Sequence, residues 1–142
     1  MKLDPFESIG FHCNLTFKSF FSVLTEKLKG TGISPVQFMA LAHLTALGPL
    51  SQTELARRLS ITGATTARLI DRMERDGWVK RERDPDDHRI KTVVLTRKSG
   101  LVWEEASAIG REILQQAYRN IDKKDLEIVK RVLADVRHNL GA

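Results

Sequence analysis

The sequence predicts a mainly α-helical chain with one small β-ribbon, and three observations carry that expectation. Asp4, Ser34, Ser51, Thr62, Thr96 and Asp122 each stand where a helix N-cap belongs. Between them, apolar residues recur every three or four positions. One stretch, residues 78–96, changes instead to a two-residue alternation around an Asp-Pro-Asp-Asp turn. At 142 residues the chain suits a single domain, 1–142, with a core of its own.

In chain order, Asp4-Pro5 sets an N-cap before a first-turn proline. Phe6, Ile9, Cys13, Phe17, Phe20, Leu24 and Leu28 then repeat at helical spacing, so one long helix should end near Lys29-Gly30. Ser34-Pro35-Val36-Gln37 has the form of a capping box, and Phe38, Leu41, Leu44 and Leu47 continue that second helix to Gly48-Pro49. Ser51-Gln52-Thr53-Glu54 reads as another capping box, opening a short third helix with Leu55 and Leu59 inward and Arg57 and Arg58 outward. Thr62 caps a fourth helix in which Ile70 and Met73 keep the core period, and Asp76-Gly77 stops it. In the ribbon, Trp78 to Arg83 form one strand and Thr92 to Thr96 the other. Pro85 fixes its own φ at the turn and the neighbouring aspartates can bond backbone there. Thr96 caps a fifth helix with Val102, Ala106, Ile109, Ile113 and Ala117 on one stripe. Asp122 caps a sixth with Leu126, Val129, Leu133, Val136 and Leu140. Phe11 and Leu15 add apolar surface beside the first helix's main stripe. Such an excess points to a partner surface, core packing within the subunit accounting for part of it.

The net charge is +5, from 23 Lys plus Arg against 18 Asp plus Glu, which suits a polyanionic partner without demanding one. Its location says more: within 57–72 four arginines face only Asp71. A single cysteine excludes an internal disulfide framework and fits a reducing compartment, with cytoplasm the expectation. No basic leader with an apolar run opens the sequence and no uncharged apolar stretch is long enough to span a bilayer, so a soluble, unprocessed protein is expected.

Two short helices joined by the tight Ser60-Ile61-Thr62 link, then a charged ribbon, match a winged helix-turn-helix that reads DNA. A recognition helix needs short polar side chains at its N-terminal turns to meet base edges. Thr62, Thr65 and Thr66 supply them beside Arg68 and Arg72, while Gly63 and Ala64 let the backbone come close. Free N–H groups there can also take a phosphate oxygen. At the ribbon tip, Arg89 can enter a minor groove, with Asp87 pinning it so that less side-chain entropy is lost on binding. The plainer reading is that Asp86, Asp87 and Arg89 form a solvated turn with a surface ion pair.

The stretch from Asp84 to Thr96, followed by Ser99-Gly100, resembles the wing motif of the multiple antibiotic resistance regulator (MarR) family, an Asp-x-Arg before a strand ending Leu-Thr-x-x-Gly. Leu55 to Val79 is similar to the same family's helix-turn-helix. The resemblance implies a homodimeric transcription regulator, more often repressor than activator. Helices within 4–32 and 97–142 would interlock across a twofold axis, and the winged core, 34–96, would meet a pseudo-palindromic operator. By position it assigns DNA contacts to Thr62, Thr65, Thr66, Arg68, Arg72, Asp87 and Arg89, with Arg83, His88 and Lys91 as phosphate neighbours; outward-facing Arg57 completes the set. This sequence departs from many relatives at Gly63, where they carry a larger polar side chain, and at Thr66, often aliphatic. The family commonly answers to small aromatic or phenolic ligands, for which Phe17, Phe20, Phe21, Phe38, His43 and Trp103 are the candidate lining. Aromatics at helical spacing equally form plain core.

Other chemistries find little support. Cys13 has apolar heptad neighbours and is expected to be buried rather than an oxidation sensor. His12, His43, His88 and His138 are scattered without ligand spacing, so no metal is assigned. No phosphate loop, His-Glu-x-x-His or nucleophile with its base suggests an enzyme or a cofactor. A winged-helix module that holds a protein partner is the alternative from another class, and a Cys13-based redox regulator is a variant of the first reading.

Overall fold

A computed structural model describes residues 2–142. A 3-10 turn, Pro5–Glu7, precedes α1 (Ile9–Leu28) and α2 (Pro35–Leu47). There follow β1 (Leu50–Ser51), α3 (Gln52–Leu59), α4 (Gly63–Arg75), β2 (Val79–Arg83), β3 (Lys91–Leu95), α5 (Arg97–Ala117) and α6 (Lys123–Asn139). The architecture is thus the expected mainly helical winged helix-turn-helix, with two differences in the elements. Asp4 caps the 3-10 turn, accepting from Phe6 N–H, and the helix proper restarts after Ser8. The ribbon also gains a third strand: β1 pairs with β3 through Leu50 opposite Val93, giving an antiparallel sheet ordered β1-β3-β2.

The caps explain where most helices begin. Ser34 and Gln37 close the full reciprocal box at 3.1 and 2.8 Å. Ser51 takes the Glu54 N–H at 3.1 Å, but the expected return bond is absent because the Glu54 carboxylate turns to Arg57 and Arg58. Thr96 precedes α5 without capping it, since its hydroxyl donates to the Gly77 carbonyl and ties the end of the ribbon to the end of α4. That end is a Schellman turn: Gly77, at φ 80°, donates to Glu74, and Trp78 donates to Met73. Between α3 and α4, Ser60 sits in the left-handed region at φ 54°, a strained choice for a serine, which lets the chain reverse within three residues.

Leu41 and Leu44 of α2, Leu55 of α3, Ile70 and Met73 of α4, and Val79 and Val93 of the sheet are almost wholly buried together, closed by Leu24 and Leu28 from the end of α1 and Ala106 and Ile113 from α5. The apolar stripes of the outer helices are not buried the same way. Ile9, Phe11, Leu15 and Phe17 are each about half exposed, and α6 buries no residue among those described. Cys13, expected to be buried, is exposed, on the same half of α1 as the half-exposed Ile9, Phe11, Leu15 and Phe17. Ala117, expected on the α5 stripe, is exposed too. No described helix is long and apolar enough to cross a membrane.

Arg81 docks the ribbon on the helices. Its side chain, only 17 % exposed, donates to Gln52 Oε1 (3.1 Å), the Ala67 carbonyl (3.0 Å) and Glu74 Oε1 (3.2 Å) and pairs with the Asp71 carboxylate (2.8 Å). Its backbone N–H, on the outer edge of β2, goes to Glu74 Oε2. Arg81→Met should therefore lower stability by about 1–3 kcal/mol, the range for stranding hydrogen-bonded polar groups, since water can still reach the carboxylates. Arg81→Lys should recover only part of it, a point charge lacking the fork. Urea unfolding midpoints check both.

Candidate nucleic-acid interface

The N-terminus of α4 is a small polar platform built by its own cap. Thr62 Oγ1 accepts the Thr65 N–H at 3.1 Å and donates to Thr65 Oγ1 at 2.9 Å, which leaves the Thr65 hydroxyl proton directed by neither. The amides of Gly63 and Ala64, in the first turn, have no carbonyl one turn earlier to bind, and no atom stands within 4 Å of where a Gly63 side chain would begin. Thr66 does not join this platform. It is completely buried, its hydroxyl donating to the Thr62 carbonyl at 2.9 Å, because it heads the inward stripe of Thr66, Leu69, Ile70 and Met73. The expectation that Thr66 meets a base is corrected on that ground.

The side chains of Arg68 and Arg72, one turn apart on α4, are exposed and make no hydrogen bond or ion pair with the described residues. Arg83 and Lys91 face each other across the β2–β3 register, both exposed and likewise without an acidic partner. Two like charges opposed on a ribbon repel each other unless an anion comes between them. Arg57 differs: its Nε and Nη2 hold Glu54 at 3.0 and 2.7 Å. Hydrogen bonding from Arg57 keeps the Glu54 carboxyl below the usual carboxylate range and raises Arg57 in turn.

The ribbon tip is folded by its acids. Asp84 Oδ1 accepts the N–H groups of Asp86 and Asp87. Asp87 receives Arg89 three times, from Nε and Nη2 at 3.1 and 3.2 Å and from the backbone N–H. These bonds, the side-chain one foremost, hold the Asp87 carboxyl below its ordinary value. A lowered native pKa means the pairing is present above the ordinary aspartate range and fades only as pH falls through the lowered value, so it is intact near neutrality. The Arg89 side chain is still 91 % exposed, and His88 is exposed beside it. Arg81 is the residue that reading by sequence missed, and no local pattern marks it, since its partners lie 7 to 29 positions away.

A second concavity lies away from this surface. Phe17, Phe20 and Phe21 of α1, Phe38 of α2 and Trp103 of α5 line a cavity of about 410 Å³ with Arg111 and Ser107 also on its wall. Phe38 stacks tilted on Trp103, ring centres 5.6 Å apart, and presses so near Gly110 that an added Cβ would sit 3.1 Å from its ring. His43, expected among the lining residues, is not there; its Nδ1 is 2.8 Å from the Met39 carbonyl within α2.

The family model of the MarR family matches residues 31–90, from before α2 to the ribbon tip. The HTH-type transcriptional regulator YwoH of Bacillus subtilis (strain 168) is 32% identical over 112 residues, covering 79% of this chain and 70% of the relative. Among solved structures, a MarR-family transcriptional regulator from Silicibacter pomeroyi superposes with a TM-score of 0.87 at 21% identity, covering 98% of this chain and 96% of that one. A mutant MarR from E. coli complexed with operator DNA does so at 0.75 and 24% identity, covering 90% and 92%. At these identities the two structures speak for the fold. With the matched model, the relative and the winged helix-turn-helix just described, the chain belongs to the MarR family of HTH-type transcriptional regulators.

Proposed function

We propose that this chain works as a homodimeric, operator-binding regulator, a repressor released by a small aromatic or phenolic effector. The dimer presents two α4 helices to the major groove and two wings to adjacent minor grooves. Thr62, Thr65 and Arg68 meet base edges, Arg72, Arg83, Lys91 and His88 meet phosphates, and Arg89, pinned by Asp87, enters the minor groove. Arg57 contributes only what its bond to Glu54 leaves free. The observation that carries this reading is the set of exposed cations without acids: Arg68 and Arg72 on one face of α4, and Arg83 opposed to Lys91 on the wing. Such a set is costly to keep together until a polyanion covers it. The fold it shares with the operator-bound E. coli protein supports the same use.

Dimerisation is supported by what the subunit leaves open. A groove of about 960 Å³ between α1, α5 and α6 is walled by Leu15, Phe20, Ile121, Leu126, Val129 and Leu133, and Phe11, Ile128 and Val132 of α1 and α6 are exposed as well. That much open apolar surface suits a second copy, with helices of 4–32 and 97–142 around a reading core of 34–96. The effector reading rests on the aromatic cavity, where the Arg111 guanidinium gives one N–H to Ser107 Oγ and keeps further donors for a phenol or acid among otherwise apolar walls. A DNA target and a lone cysteine both fit a cytoplasmic location.

Mobility shift on the DNA flanking the chain's own gene tests the whole. Each neutralised phosphate should add about −0.9 to the slope of log affinity against log salt, so a flat dependence overturns the reading. Arg89→Ala should weaken all duplexes alike, while Arg68→Ala should change which operators are preferred. Thr66→Val should leave operator preference unchanged and cost at most about 1 kcal/mol, because the Thr62 carbonyl keeps the Thr66 N–H. Sedimentation should give twice the subunit mass of 16.1 kDa. A strict monomer that shifts no promoter fragment would point to a protein-binding module instead.

A further inference from the structure

We propose that Glu54 holds down the sequence-independent part of DNA affinity by occupying two guanidiniums that would otherwise reach phosphates. This role presupposes the DNA-binding reading above and adds a residue that works against it. Glu54 lies in the first turn of α3, 32 % exposed. Its Oε1 takes both Arg57 Nη2 at 2.7 Å and Arg58 Nε at 2.8 Å, and its Oε2 takes Arg57 Nε at 3.0 Å. One carboxylate thus engages two arginines at once, three and four residues further along the same helix face.

In a helix-turn-helix the first helix crosses the DNA backbone while the second lies in the groove. What the outward arginines of α3 can meet is therefore phosphate, and phosphate contacts carry no base information. Glu54 diminishes those contacts twice, by taking N–H groups of the Arg57 fork and by setting a negative charge where a phosphate would lie. Asp87 makes a similar pair with Arg89, yet the balance differs. Arg89 stands on an irregular turn, 91 % exposed, with nothing else to orient it, so pairing lowers the entropy lost on binding. Arg57 and Arg58 are already held by a helix, and Arg58 is only 35 % exposed, so less orientation is gained for the same lost charge. The Glu54 carboxyl, held below its ordinary value chiefly by the Arg57 hydrogen bond, agrees with a carboxylate engaged in this way.

A helix-stabilising role is the competing account, since an acid in the first turn favours the helix dipole. Glu54→Gln separates the two, because the amide keeps an acceptor oxygen and the shape while losing the charge. Wild type and variant dimers are titrated with an operator fragment and a random duplex of equal length, between about 50 and 200 mM salt. Glu54→Gln should bind both duplexes more tightly by the same factor, about 3–10-fold at moderate salt, with a salt slope steeper by about one to two. Glu105→Gln, which removes an exposed carboxylate of α5 without a described partner, should change neither. Unchanged or weaker binding by Glu54→Gln, a gain confined to the operator, or an equal gain from Glu105→Gln overturns the assignment. A lower melting temperature together with weaker binding does so in favour of the helix role. Flat salt dependence in the wild type would instead bring down the DNA-binding reading itself.

Discussion

One guanidinium fixes how the two reading elements stand to each other. Arg81 lies on β2, but its partners are Gln52 at the start of α3 and Ala67, Asp71 and Glu74 along α4. Only a planar fork with several donors can satisfy a carbonyl, an amide oxygen and two carboxylates in different directions. The Gly77 turn brings the chain from α4 into β2, and the Thr96 hydroxyl returns the far end of the ribbon to that same turn. The wing is thereby tied to α4 at its base and along its edge. Its tip is left to organise itself, through Asp84 and Asp87.

The chain closes one core and leaves another half-built. From α2 to β3, Leu41, Leu44, Leu55, Ile70, Met73, Val79 and Val93 meet others of the same chain and are buried to within a few percent. In α1 and α6 the same periodic pattern produces stripes that stay open, with Phe17 and Val129 each about half exposed. Amphipathic periodicity states that a face will be covered and is silent on which chain covers it. That is why Cys13 was expected in a core and stands outside it in the single subunit.

The helices were legible because caps are local: Ser34 with Gln37 and Thr62 with Thr65 make bonds three residues apart, so their spacing is visible in the sequence itself. The wing turn was legible for the same reason, Asp87 and Arg89 lying two apart. β1 was not, since two residues cannot display a period, and Ser51 had already been claimed by a helix cap it does provide. Arg81 was hidden because its bonds span the fold. Thr66 is legible by its phase: it stands three, four and seven residues before Leu69, Ile70 and Met73, the inward stripe, and that phase outweighs its polar chemistry. His43 was grouped with the aromatics for its ring, while its own helix satisfies its nitrogen.

The cavity's position follows from the same division of the chain. Phe38 and Met39 belong to α2, whose Leu41 and Leu44 are packed in the core with α3, α4 and the sheet. The facing walls, Phe17, Phe20 and Phe21 of α1 and Trp103 of α5, belong to the helices whose apolar stripes remain open. A molecule seated among them would touch α2 on one side and α1 and α5 on the other. Under the proposed dimeric reading, it would act on DNA binding only through a difference in its affinity for two arrangements of α2 against α1 and α5. Close packing makes such a seam a place of few stable settings rather than a continuum. Phe38 stands at that seam between Trp103 and Gly110, where a larger residue at 110 would meet its ring.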